Sequence, residues 1–75
     1  MMPLMYAEKD RPMTVCRISG PLKVRSHLAD LGFSPQSLVT VKQEIAGNLI
    51  VEVKGSRLAL DASMARRIMV QEAQA

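Results

Sequence analysis

The sequence contains no tryptophan and only one each of histidine, cysteine, tyrosine and phenylalanine. Those shortages exclude most enzymology. Nucleophilic catalysis needs a nucleophile, a base within hydrogen-bond reach and usually a group that orients the base. His27 is the only side chain here whose ordinary titration lies near neutrality. The four glycines stand apart, at positions 20, 32, 47 and 55, so no glycine-rich phosphate loop is available. Proteins that bind single strands or RNA stack bases on several aromatic rings, and Tyr6 and Phe33 are too few. A lone Cys16 excludes an internal disulfide and any zinc or iron–sulfur site built from several thiolates. No apolar run approaches the roughly 18 residues that cross a bilayer. Met1–Ala7 is apolar but lacks a basic lead-in and stops at Glu8-Lys9-Asp10-Arg11, which is too short for a secretory signal. These features predict a cytoplasmic protein that is not an enzyme and does not insert into membranes.

What is present is an ordinary globular composition. Seventy-five residues with 48% hydrophobic and 23% charged side chains suit one small domain with little margin of stability. Ten basic residues against seven acidic ones give a net charge of +3, an excess that favours an acidic partner. The basic residues are spread over a helix, a hairpin and a late turn. A nucleic-acid binder needs a dense stripe instead, so no nucleic-acid partner is expected.

Residues 1–11 read as a flexible arm, with an apolar start that could dock on a neighbouring sheet edge. Met13 to Ile18, rich in β-branched and apolar residues, predicts a first strand. Ser19-Gly20-Pro21 then starts a helix, with Pro21 in the first turn where its missing N–H costs nothing. Leu22, Val24, Leu28 and Leu31 recur at helical spacing and predict the core stripe. Gly32 ends the helix in a left-handed turn, and Phe33-Ser34-Pro35-Gln36-Ser37 forms the next turn.

Two hairpins follow. A three-residue loop, Ala46-Gly47-Asn48, would set Ile45 opposite Leu49 and Val41 opposite Val53, keeping the apolar residues on one face. A two-residue Gly55-Ser56 turn would set Val53 opposite Leu58. This register places Lys54 opposite Arg57 and Thr40 opposite Lys54, with Lys42 and Glu52 on the same outer face. Asp61 caps a helical turn over residues 62–67, and Ile68 to Val70 form the last strand. The order predicts a mainly β fold: a small five-stranded SH3-like barrel, with one α-helix after the first strand and a short helical turn before the last. An OB-type barrel is the alternative. The barrel spans residues 12–71, followed by a tail over 72–75.

Leu28-Ala29-Asp30-Leu31-Gly32-Phe33-Ser34-Pro35 resembles a signature of the ferrous iron transport protein A (FeoA) family. Gly55-Ser56-Arg57-Leu58-Ala59-Leu60, followed by Ala65-Arg66-Arg67-Ile68-Met69-Val70, resembles that family's ending. The family usually carries glycine after the proline, where this chain has Gln36, and commonly a basic residue near Asp61. The resemblance implies a cytosolic accessory of ferrous iron uptake that binds the large membrane transporter FeoB, which carries a G-protein domain. The same domain occurs at the C-terminus of diphtheria-toxin-repressor-type metal regulators, so a metal-binding or regulator-associated module is the alternative function.

The candidate partner-binding residues are Lys42, Lys54 and Arg57 on the hairpins and Lys23 and Arg25 on the helix. Their plainer reading is as solvated faces. Cys16 and His27 are the candidate metal ligands, but a metal site needs three or four convergent ligands, and strand and helix positions do not bring these two together by spacing. No intramolecular metal site and no cofactor are therefore assigned, beyond an adventitious divalent ion. Self-association stays open.

Overall fold

In the computed structural model, which describes residues 1–73, the chain builds one antiparallel sheet. Its strands are β1 (Met2–Pro3), β2 (Met13–Ile18), β3 (Leu38–Ile45), β4 (Asn48–Val53), β5 (Ser56–Leu60) and β6 (Ile68–Glu72). Helix α1 (Leu22–Asp30) joins β2 to β3, and a one-turn helix α2 (Ala62–Ala65) joins β5 to β6. The sheet order is β1-β6-β2-β3-β4-β5. The last strand returns to the first long one, as an SH3-like barrel requires, and the ends of the sheet, β1 and β5, are not paired to each other.

The N-terminal segment corrects the expectation of a flexible arm over 1–11. Met2 and Pro3 pair with Val70 and Met69 of β6, and a 3-10 turn over Leu4–Tyr6 drops Leu4 into the core with no exposed surface. The segment thus docks on a sheet edge of its own chain and adds a sixth strand. Farther along, the Asp10 N–H donates to the Val41 carbonyl at 2.7 Å, and Arg11 pairs with Glu8 and Glu72 at 3.1 and 3.0 Å. At the other end, Glu72 closes β6 and the Ala73 N–H donates to the Pro12 carbonyl at 3.3 Å. The rest of the expected tail, residues 74 and 75, lies outside the described residues.

Both hairpins use a turn other than the one expected. Ala46-Gly47 and Lys54-Gly55 form the two-residue turns, with φ of 50 and 84° in the first and 51 and 80° in the second. Two consecutive positive φ values match the twist of the flanking strands, and glycine is favoured there because it has no Cβ to clash. The sequence reading placed Ala46 in a three-residue loop and Lys54 on a strand, and the chain accepts both at positive φ. The pairing therefore runs Val39 with Val53, Val41 with Val51, and Val51 with Leu58. Each of these partners is two residues away from its expected place, which preserves the face these side chains occupy. A bulge at Lys42 absorbs the odd residue in β3, leaving Ile45 51% exposed instead of facing inward.

Helix α1 is more exposed than its apolar spacing implies. Leu28 is fully buried and Val24 packs against the core, whereas Leu22 is 69% and Leu31 37% exposed. The inward stripe is thus the i, i+4 pair alone. Pro21 sits at the N-cap, one position earlier than expected. The turn after α1 runs from Ser34 to Ser37, closed by the Ser37 N–H on the Ser34 carbonyl at 3.0 Å.

Pro35 and Gln36 occupy the centre of that turn, and Gln36 takes φ 73°, the position where a type II turn calls for glycine. The turn is held from outside, because the Gln36 N–H donates to the Val15 carbonyl at 2.7 Å and the Val15 N–H to Ser37 at 2.8 Å. Gln36→Gly is expected to raise stability by about 0.5–1 kcal/mol, relief of left-handed strain outweighing the added freedom of the unfolded chain. A higher urea midpoint checks this; an unchanged or lower one means that Gln36 carries no strain.

Candidate functional site

The like-charged cluster expected on the outer face of the hairpins does not form. Arg57 stands opposite Glu52, with Nε 3.4 Å from the carboxylate, and Thr40 also faces Glu52. Lys54 sits in the turn instead of on a strand, and its side chain passes the exit of α1 at Gly32. Lys42, on its bulge, reaches Asp10 at 3.5 Å and is largely covered. Exposed pairs of this kind contribute roughly 0–1 kcal/mol, but they neutralise two of the three hairpin cations.

The helix side is different. Arg25 Nε donates to the Gly20 carbonyl at 3.1 Å. Arg67 lays its guanidinium against Gly20, so close that a Cβ there would force the arginine side chain to shift. Gly20 itself has φ 115°, a conformation open only to glycine in practice. The Arg67 carbonyl also accepts the Ser19 N–H at 2.8 Å. The entry to α1 is thereby tied to the start of β6, with two guanidinium groups gathered beside it. Neither these nor Lys23 forms an ion pair among the described residues.

Between α1 and α2 lies a shallow groove of about 350 Å³, lined by Lys23, Val24 and His27 from α1 and Met64 from α2. Lys23 and His27 are one turn apart on the exposed face. The position of α2 is fixed by Asp61, whose carboxylate accepts the Met64 N–H at 2.9 Å and the Ser63 hydroxyl at 2.8 Å. The bond from the Met64 backbone, then that from Ser63, holds the Asp61 carboxyl below its usual range. Met64 packs partly against the core, and the sequence reading did not place it at a site. The available signal was its place just after a capping aspartate, on a helix too short to bury every face.

Cys16 and His27 are not assembled into a metal centre. Cys16 is the extra residue of a bulge in β2, half-buried, with its thiol directed to the Thr14 carbonyl at 3.7 Å. Among the described residues no group of three or more His, Cys, Asp or Glu is placed to hold an ion. No helix among them is long and apolar enough to cross a membrane.

An SH3-like β domain whose distinctive features are surfaces, with α1 and α2 packed beside the sheet, is what these residues define. The chain belongs to the FeoA domain family, which it matches over residues 2–72, so the domain begins at β1 and takes in the segment read as an arm. It is 28% identical to the Methanocaldococcus jannaschii protein named "Putative Fe(2+) transport protein A", over 99% of this chain and 90% of that one. A crystal structure of the iron uptake regulatory protein FeoA superposes with a TM-score of 0.88 at 26% identity, covering 96% of this chain and 97% of that one. A manganese-dependent transcriptional repressor matches 95% of this chain with a TM-score of 0.83 at 26% identity, but only 41% of its own length.

Proposed function

We propose that this chain is a non-catalytic accessory of ferrous iron uptake, cytoplasmic, that works by binding the cytosolic part of a FeoB-type transporter through its barrel. The observation that carries this reading is the match to the FeoA domain from β1 to the end of β6, in a fold whose buried residues, among those described, are all apolar. A domain that spends its interior on packing acts through its surface. Of the five cations proposed to meet the partner, Lys42 and Arg57 already face carboxylates. Lys23 and Arg25 do not, and among the described residues neither does Lys54 in its turn, which leaves α1 and one hairpin tip to carry the binding reading. The likeness to part of a manganese-dependent repressor favours a second reading, a module that docks within a metal-dependent regulator.

Titration of the purified chain against the transporter's cytosolic part is expected to give saturable binding. In cells, loss of the chain is expected to lower ferrous iron uptake, with recovery when it is supplied again. Absence of binding together with unchanged uptake would overturn the reading. Binding to a metal-dependent repressor core in its place would favour the second.

A further inference from the structure

We propose that the groove between α1 and α2 docks an acidic peptide segment carrying one bulky apolar side chain. The proposal deepens the reading of the chain as a partner-binding module and names the surface and the chemistry of what it takes.

The four ion pairs use Arg11, Lys42 and Arg57 and lie along the N-terminal segment, β3, β4, β5 and β6. The cations around α1 are left without carboxylates among the described residues. Lys23 rims the groove, and Arg25 and Arg67 are held against Gly20 just before the helix. Asp61, the acid that starts α2, is occupied by the Met64 N–H and the Ser63 hydroxyl. Lys23 thus rims the groove without a carboxylate partner among the described residues, which favours a negative occupant there.

The floor of the groove selects the rest. Val24 and Met64 are both only partly buried against the core, and they form an apolar patch between Lys23 and His27. Methionine adapts its shape to the side chain it meets. An apolar anchor seated beside a basic rim is the usual way a short segment gains both affinity and register. A nucleic acid would meet Lys23 but leave Val24 and Met64 unused.

Selection of a randomised peptide library on the immobilised chain tests the proposal. The expected consensus is a single Leu, Ile, Phe or Met flanked by Asp and Glu, with backbone amide shifts in the NMR spectrum centred on Lys23, Val24, His27 and Met64. Affinity should fall as salt rises. The double variant Lys23→Glu with His27→Glu, both residues exposed, is expected to lose roughly tenfold or more in affinity while keeping its circular dichroism and unfolding midpoint. Met64→Ala should weaken binding without changing the salt dependence. A consensus without acids, shifts centred on the hairpins, or equal affinity in the double variant would each overturn the proposal. So would tighter binding of an oligonucleotide than of the selected peptide. Titrating the same variants with the transporter's cytosolic part separates the two readings. Wild-type binding there by Lys23→Glu with His27→Glu removes the groove and keeps the transporter. Groove binding by the peptide alone does the reverse.

Discussion

Leu4→Ala is expected to lower the free energy of unfolding by about 3–4 kcal/mol, the range for deleting a fully buried leucine whose surroundings relax only in part. A domain of this length has a total stability of roughly 4–11 kcal/mol, so the variant should be marginal at physiological temperature. Leu4 is fully buried, and the turn that carries it packs on α2 and β6. It is held from both sides, by the pairing of Met2 and Pro3 with β6 and by the Asp10 N–H on the Val41 carbonyl. Tyr6, in the same turn, is 71% exposed, and Tyr6→Ala should change stability by no more than about 0.5 kcal/mol. Urea unfolding of the two variants separates a segment that completes the core from one that merely lies on it. Equal midpoints would mean that the N-terminal segment detaches in solution.

The reason Leu4 was not legible in the sequence is physical. A two-residue strand and a single 3-10 turn are too short to show any periodicity, and Met1-Met2-Pro3-Leu4-Met5 is apolar throughout, so no face could be chosen. Strand β2 was legible to the residue, because alternation of buried Met13 and Val15 with less buried neighbours is the direct signature of a half-buried strand. The hairpins fall between these cases. Which residues face inward could be read from Val39, Val41, Leu49, Val51 and Val53, since the period of two fixes the face. Which residues stand opposite could not, because partners depend on turn type and on the bulge at Lys42, and neither leaves a compositional trace. That error was enough to create a Lys54–Arg57 repulsion where the molecule has an Arg57–Glu52 attraction. The groove was half legible: Lys23 and His27 were visible as exposed helix positions, but their meeting with Met64 depends on where α2 docks, and that is a tertiary fact.

Gly32→Val is expected to cost about 2–3 kcal/mol, for a reason that lies in the backbone and not in space. A Cβ on Gly32 would meet Val53 and Lys54 side-chain atoms at 3.5 Å, which is ordinary contact. The constraint is φ, 110° at this residue, where β-branched side chains are strongly disfavoured. The conformation is imposed by the way α1 ends. The Gly32 N–H donates to the Ala29 carbonyl and the Phe33 N–H to the Leu28 carbonyl, both at 3.0 Å, which is the paired arrangement of a Schellman cap. Its hydrophobic contact is made by Leu28 and Phe33, both fully buried. Losing the left-handed residue therefore breaks two hydrogen bonds and also withdraws the chain's single phenylalanine from the core. Gly32→Ala should cost less, about 1–2 kcal/mol, because it carries the φ strain without the β-branch. The thermal midpoint should fall by roughly 10–20 °C for the valine variant. A fall of similar size in both variants would assign the whole cost to φ. Wild-type midpoints in both would mean that α1 ends without its left-handed residue and that Phe33 reaches the core by another path.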